Sequence, residues 1–103
     1  MHRYNCRIMT RGETEEVLRN AAYGRIGVAE NNQPCIIPMN YEWKRDGCYY
    51  CFLIYGFDEF DSNLEAIRNN NKVMLEIEIS DENSIRVVYV CGKAKRFIDM
   101  GYD

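Results

Sequence analysis

From Val73 to Ile79 the chain alternates without a break. Val73, Leu75, Ile77 and Ile79 are apolar, and Met74, Glu76 and Glu78 stand between them. This period of two describes a strand with one dry face and one wet face, the pattern of an antiparallel sheet covered on one side only. In a helix the same spacing would scatter the apolar groups around the whole circumference. After the turn Asp81-Glu82-Asn83-Ser84, residues 85–95 read as another strand. A connection that short allows only antiparallel pairing.

Upstream, the elements are equally short. Thr10 and Glu13 form a capping box, and Val17, Leu18, Ala21 and Ala22 form an apolar stripe at helical spacing. A helix of about three turns is therefore expected, ending near Tyr23 with Gly24 just beyond its last turn. Residues 25–30 read as a strand and Glu30-Asn31-Asn32-Gln33 as a turn. Residues 34–43 read as a second strand, in which Pro38 demands an edge position or a bulge. Lys44-Arg45-Asp46-Gly47 carries the Asp-Gly hairpin signal, and residues 48–55 read as an aromatic third strand. Residues 56–60 read as loop. Ser62 with Glu65 opens a short helix to about Asn70, with Leu64 and Ile67 on its buried side. The expected architecture is mainly β: an antiparallel split β-barrel of about five to six strands with two short helices.

The 103 residues correspond to one domain. Thirteen basic against sixteen acidic side chains give a net charge of −3, which argues against a nucleic-acid partner. No apolar run is long enough to span a bilayer, and residues 1–7 carry no apolar core of a signal peptide, so a cytoplasmic location is expected. Five cysteines without a secretion signal imply free thiols, expected here as small buried hydrophobes. Cys48 and Cys51 match Cys-x-x-C. Three apart in a strand they face opposite ways, so no metal site is expected. His2 is the one histidine, so Ser80 and Ser84 beside Asp81 form no hydrolase triad, and no catalytic side chain is assigned.

Four stretches, taken together and in order, resemble the flavin-binding split-barrel family of pyridoxamine 5′-phosphate oxidase-like proteins, nearest its nitroimidazole-resistance (nitroreductase-like) branch. They are Ala22-Tyr23-Gly24-Arg25-Ile26, then Pro34 to Tyr41 with two prolines four apart, then Ile67 to Glu76 with its asparagine stop, and then Ser84 to Ala94 with its Gly-Lys-Ala ending. The likeness runs over roughly residues 10–96. It implies a homodimer with FMN in clefts at the interface and a flavin-dependent oxidoreductase acting on a small molecule such as a nitroaromatic, a quinone or a flavin. Carried onto this chain, the ring lies along Pro38, Met39, Asn40 and Tyr41, and the phosphate near Cys51, Phe52, Ser62 and Asn63. By the same likeness, residues 1–103 form a single domain without the family's C-terminal helix and closing strand.

The chain departs from the family where a basic residue usually stands at the second helix. Asp61-Ser62-Asn63 occupies that place, and Asp58, Glu59 and Asp61 crowd the same turn. Each carboxylate about 4–6 Å from a phosphate costs roughly 3–4 kcal/mol at an effective dielectric near 20. The alternative is therefore a non-catalytic split-barrel homodimer that has lost the phosphate site and serves as a binding or regulatory module. A third reading is a module whose open sheet edge takes a strand from a partner. Other groups stay open between two readings each. The acidic turn could bind a divalent cation or simply suit a helix start. Lys93, Lys95 and Arg96 could meet an anion or a partner, or be solvated. Trp43, Tyr49 and Tyr50 could stack on a ligand, or fill a core or dimer seam.

Overall fold

The computed structural model describes residues 6–56 and 62–95. The elements are α1 (Arg11–Asn20), β1 (Gly24–Glu30), β2 (Gln33–Asp46), β3 (Tyr49–Tyr55), α2 (Ser62–Asn69), β4 (Lys72–Ser80) and β5 (Ile85–Lys93). The five strands form one antiparallel sheet in the order β3-β2-β1-β4-β5. The sheet curls into half a barrel, a split-barrel fold with two short helices.

Strand β2 makes the curl. Its first half, Gln33 to Met39, pairs with β1, and its second half, Asn40 to Asp46, pairs with β3. No other strand among the described residues lies along the far side of the first half, so the prolines find the edge position that Pro38 requires. The two-residue loop Asn31-Asn32, with φ of 52° and 64°, is the turn that best matches strand twist. Glu30 and Gln33 close it as a hydrogen-bonded pair. Counting from there, Pro34, Ile36 and Pro38 fall on non-hydrogen-bonded pairs, with their backbone polar groups directed away from β1.

The dry faces meet α1. Ile26 and Val28 of β1, Met39 of β2, Leu75 and Ile77 of β4 and Val88 of β5 are buried with Val17 and Leu18 of α1 and Ala66 of α2. The alternation read from residues 73–79 is borne out: Leu75 and Ile77 are 3% and 0% exposed, while Met74 on the other face is 44% exposed. Helix α1 ties the two arms of the curl together. Tyr41 Oη donates to Leu18 O at 2.8 Å and Tyr50 Oη to Glu15 Oε2 at 2.9 Å, while Arg86 lies 3.6 Å from Glu16.

Several boundaries differ from the sequence reading. Helix α1 has its capping box at Thr10, but it stops at Asn20, and Ala21 is already extended (φ −70°, ψ 138°). Gly24 is not a helix stop; it is the first residue of β1 and is buried. A Cβ there would stand 2.8 Å from Ile77 Cγ1 and 2.9 Å from Met39 Cε, so the position excludes a side chain by close approach of three strands. The second hairpin turns at Gly47-Cys48, with φ +62° at Gly47, so β2 extends to Asp46 and Cys48 leaves the third strand. Ser62 is the first residue of α2, which moves the capping position to residue 61, outside the described residues. The cysteines are not buried: all five are exposed, with Cys6 ahead of α1, Cys35 near the start of β2 beside Asn63, Cys48 in the turn, and Cys51 and Cys91 on wet-face positions.

Candidate functional site

The eight residues singled out for a flavin fall on β2, β3 and the start of α2. On β2 they alternate. Pro38 and Asn40 are exposed on the outer face, whereas Met39 is 3% exposed inside the core and Tyr41 is half-buried against α1. Burial holds the Tyr41 phenol above its usual pKa, so it remains a protonated donor to the Leu18 carbonyl. On β3, Cys51 is exposed, and the Phe52 ring packs 6.1 Å from that of Tyr41 on the inner side. Cys51 and Phe52 thus point to opposite faces. They pair with Lys44 and Trp43, well along the ladder from the Asn40–Tyr55 pair at the bend. Residues 57–61, and with them the acidic turn at Asp58, Glu59 and Asp61, lie outside the described residues, as do His2 and Arg96.

The structure brings β2 and α2 together. Cys35 Sγ lies 3.9 Å from Asn63 Oδ1, so the helix start adjoins the first half of β2. That half presents a distinctive edge. Pro34 and Pro38 have no N–H, so Ile36 supplies the one outward amide hydrogen between them, alongside the carbonyls of all three residues. The side chain of Ile36 is 70% exposed on the outer face. At the bend, Gly56 takes φ +102°, and an added Cβ would come 3.2 Å from Asn40 Nδ2, so Gly56 lets β3 close against Asn40.

Sequence reasoning asked for an edge or a bulge at Pro38 but missed that the whole first half of β2 is open, because that depends on which partner each half takes. It also missed a second feature, a shallow notch of about 210 Å³ lined by Ala22, Tyr23, Arg25, Glu76, Glu78 and Ser80. The notch lies where β1 begins at Gly24 while β4 runs on to Ser80. Arg25 Nη1 meets Glu76 Oε1 at 3.1 Å, and its guanidinium sits 5.9 Å from the centre of the Tyr23 ring. The charge of Glu76 raises the Tyr89 pKa. Period-two parity puts Arg25, Glu76 and Tyr89 on wet faces, but only the register aligns them. Among the described residues no group of three or more His, Cys, Asp or Glu is placed to hold a metal, and no helix is long and apolar enough to cross a membrane.

Among solved structures, an FAD-binding protein from Mesorhizobium loti is similar to this chain, with a TM-score of 0.71 and 22% sequence identity. The alignment covers 89% of this chain and 63% of that one, so the chain spans less than two thirds of its neighbour's length. At this identity the likeness establishes the shared fold, the antiparallel split β-barrel with short helices. No protein-family model matches the chain, and no curated protein sequence matches it.

Proposed function

We propose that the chain binds a flavin, FMN in the first instance, as a homodimer, and that the bound flavin reduces a small molecule such as a nitroaromatic, a quinone or another flavin. The observation that carries this reading is the one-sided pairing of residues 33–39. The edge offers the outward carbonyls of Ile36 and Pro38 and the single N–H of Ile36, while the Pro34 carbonyl already accepts from Gln33 Nε2 at 3.2 Å. A flavin's pyrimidine edge carries one N–H between two carbonyls, so the Ile36 N–H can donate to one flavin carbonyl while the Ile36 carbonyl accepts from the flavin N–H. A peptide strand fits less well, because two of the three amides it would seek are prolines. The described residues therefore suit the ring.

Met39 and Tyr41 act from beneath, fixing the bend through the core and through α1, while Pro38 and Asn40 face the outer side. Asn63, which follows Ser62 at the start of α2, stands beside Cys35, where the rest of the nucleotide would extend. Phe52 buttresses Tyr41 from the inner side, whereas Cys51 lies opposite Lys44 on the other half of β2, away from the Cys35–Asn63 end. Among the described residues the shifted groups are arginine, carboxylates and tyrosines away from this edge, apart from Tyr41, which is occupied with Leu18. The flavin supplies the redox chemistry when bound, and the protein supplies position and hydrogen bonds.

The second reading, a homodimer without a nucleotide site, is favoured by the acidic sequence Asp58, Glu59 and Asp61. One titration separates the two. Purified protein is mixed with FMN, FAD and riboflavin, and flavin fluorescence and Trp43 emission are followed. The proposal expects saturable binding of at least one flavin. If Asp58, Glu59 and Asp61 face the phosphate, riboflavin binds at least as tightly as FMN, and replacing the three with Asn or Gln tightens the phosphorylated flavins and not riboflavin. No saturable signal with any of the three compounds refutes the flavin reading and leaves the second.

A further inference from the structure

Strand β4 outruns β1 at one end of the sheet. Their pairing stops at Gly24, opposite Ile77, and β4 continues to Ser80. Arg25 turns its backbone away from Pro38, so its ladder bonds go to Glu76. By the same alternation Glu78 and Ser80 direct their N–H and C=O groups to that side, where no backbone partner stands among the described residues. The chain leaves the sheet there through Ala22 and Tyr23, and the notch of about 210 Å³ lies between them and the end of β4. It has room for roughly seven waters at about 30 Å³ each. Its walls differ in what they can still bind. The Arg25 guanidinium is engaged, 3.1 Å from Glu76 Oε1 and 5.9 Å from the centre of the Tyr23 ring. Tyr23 is half exposed, and Glu78 is exposed with no ion-pair partner among the described residues. Arg25, Glu76 and Glu78 together leave the notch one net negative charge.

We propose that this notch binds a small organic cation, a primary amine with a flat apolar body, its ammonium against the Glu78 carboxylate and its body on Tyr23 and Ala22. An ammonium group is a donor with no acceptor. The Glu78 carboxylate, the Ser80 hydroxyl and the outward carbonyls of Glu78 and Ser80 are the acceptors that match it, while the neighbouring N–H groups stay with water on the open side. The Tyr23 ring offers an aromatic body an offset or edge contact. An anion finds its one cationic wall, Arg25, already held by Glu76. A divalent cation takes about six or more oxygen ligands, and no group of three or more His, Cys, Asp or Glu is gathered among the described residues. The notch lies across β1 from the open half of β2, so the proposal stands apart from the flavin reading.

Benzylamine, benzyl alcohol and benzoate are titrated in turn into the isotope-labelled full chain at constant pH and salt, and amide NMR shifts are followed. The Glu78 and Ser80 amides and the Arg25 side chain should saturate with benzylamine, roughly tenfold more tightly than with the alcohol, and should not respond to benzoate. Glu78→Gln should weaken benzylamine roughly tenfold, and Tyr23→Ala by about threefold or more. Glu82→Gln, at an exposed acid outside the notch, should leave it unchanged. Far-UV circular dichroism confirms that each variant folds. On the parent chain, added salt should weaken the amine and spare the alcohol, a reading that needs no variant. Shifts that grow without saturating overturn the proposal. So does equal affinity for amine and alcohol, or indifference to Glu78→Gln. Magnesium or calcium that saturates the same amides and displaces benzylamine assigns the notch to a metal ion and overturns it as well.

Discussion

Gly24→Ala tests the point where the curl is tightest. An alanine Cβ would stand 2.8 Å from Ile77 Cγ1, 2.9 Å from Met39 Cε and 3.1 Å from the Glu76 carbonyl oxygen. Carbon pairs are most favourable near 3.5–4.0 Å, so two contacts are short by roughly 0.6 Å or more. The Met39 methyl can swing away. Ile77 cannot, because it is β-branched and fully buried, and the Glu76 carbonyl belongs to the strand backbone. Overfilling of this kind costs about 1–3 kcal/mol. Alanine recovers about 0.4–1 kcal/mol by restricting the unfolded chain. The net loss is about 1–2 kcal/mol, a fall in Tm of roughly 5–12 °C for a domain of this size. Gly92→Ala is the control, since nothing lies within 4 Å of its added methyl. It should hold or raise stability by a few tenths of a kcal/mol. Urea titrations of both variants at one protein concentration decide the matter. A Gly24→Ala chain as stable as Gly92→Ala would refute the close approach of β1, β2 and β4.

Three further outcomes are expected. Tyr41→Phe removes the donor to Leu18 O, one of the carbonyls that the end of α1 leaves unpaired, and should cost about 1 kcal/mol in urea titration; no change would mean that water replaces the phenol there. Glu13 is held down to about 2 by its bonds to Arg7 and Thr10. Its folded value lies below the ordinary 4.5, so its contribution is present above pH 4.5 and is lost as pH falls toward 2; stability of Glu13→Gln should trail the parent above pH 4.5 and converge with it near pH 2, and a constant gap would contradict this. Without flavin, all five cysteines should react promptly with a disulfide reagent, because each is exposed; a thiol that stays protected in the folded protein would contradict this.

The sequence was most legible where the local signal and the tertiary demand agree. Residues 73–79 alternate because α1 covers one side of β4 and nothing among the described residues covers the other. The Thr10–Glu13 box and the Asn31-Asn32 loop are complete within a few residues, so each could be read alone. Gly24 was misread because a glycine after a helical stripe suits a helix stop as well as a crowded strand, and Ile77 and Met39, which crowd it, are 53 and 15 positions away. The cysteines were misread because side-chain chemistry predicts burial, while exposure depends on which face of β3 and β5 meets α1. For the candidate site, Pro38 announced an edge or a bulge, but not which half of β2 would be open. The missing amides of Pro34 and Pro38 acquire meaning only once β3 is seen to leave the first half of β2 unpaired.

That division of β2 links the fold to the proposed chemistry. A strand that gives one half to β1 and the other to β3 must expose an edge on each half, because neither neighbour spans its full length. An exposed edge of alternating donors and acceptors invites any passing strand. With proline at two of the three outward positions, the first half keeps its acceptors and loses all but one donor, so continued pairing with a peptide is frustrated after a single residue. A small planar ligand needs only one donor and one or two acceptors, within a span of about two residues. The same substitution pattern that guards the edge against strand addition therefore leaves it open to a ring. Pro38→Ala should separate the two effects: it restores an amide, favours self-pairing at high concentration, and leaves the carbonyls available to a flavin. Light scattering showing a growth in mass that flavin suppresses is the expected result, and a Pro38→Ala chain that neither associates further nor responds to flavin would refute the argument from the edge.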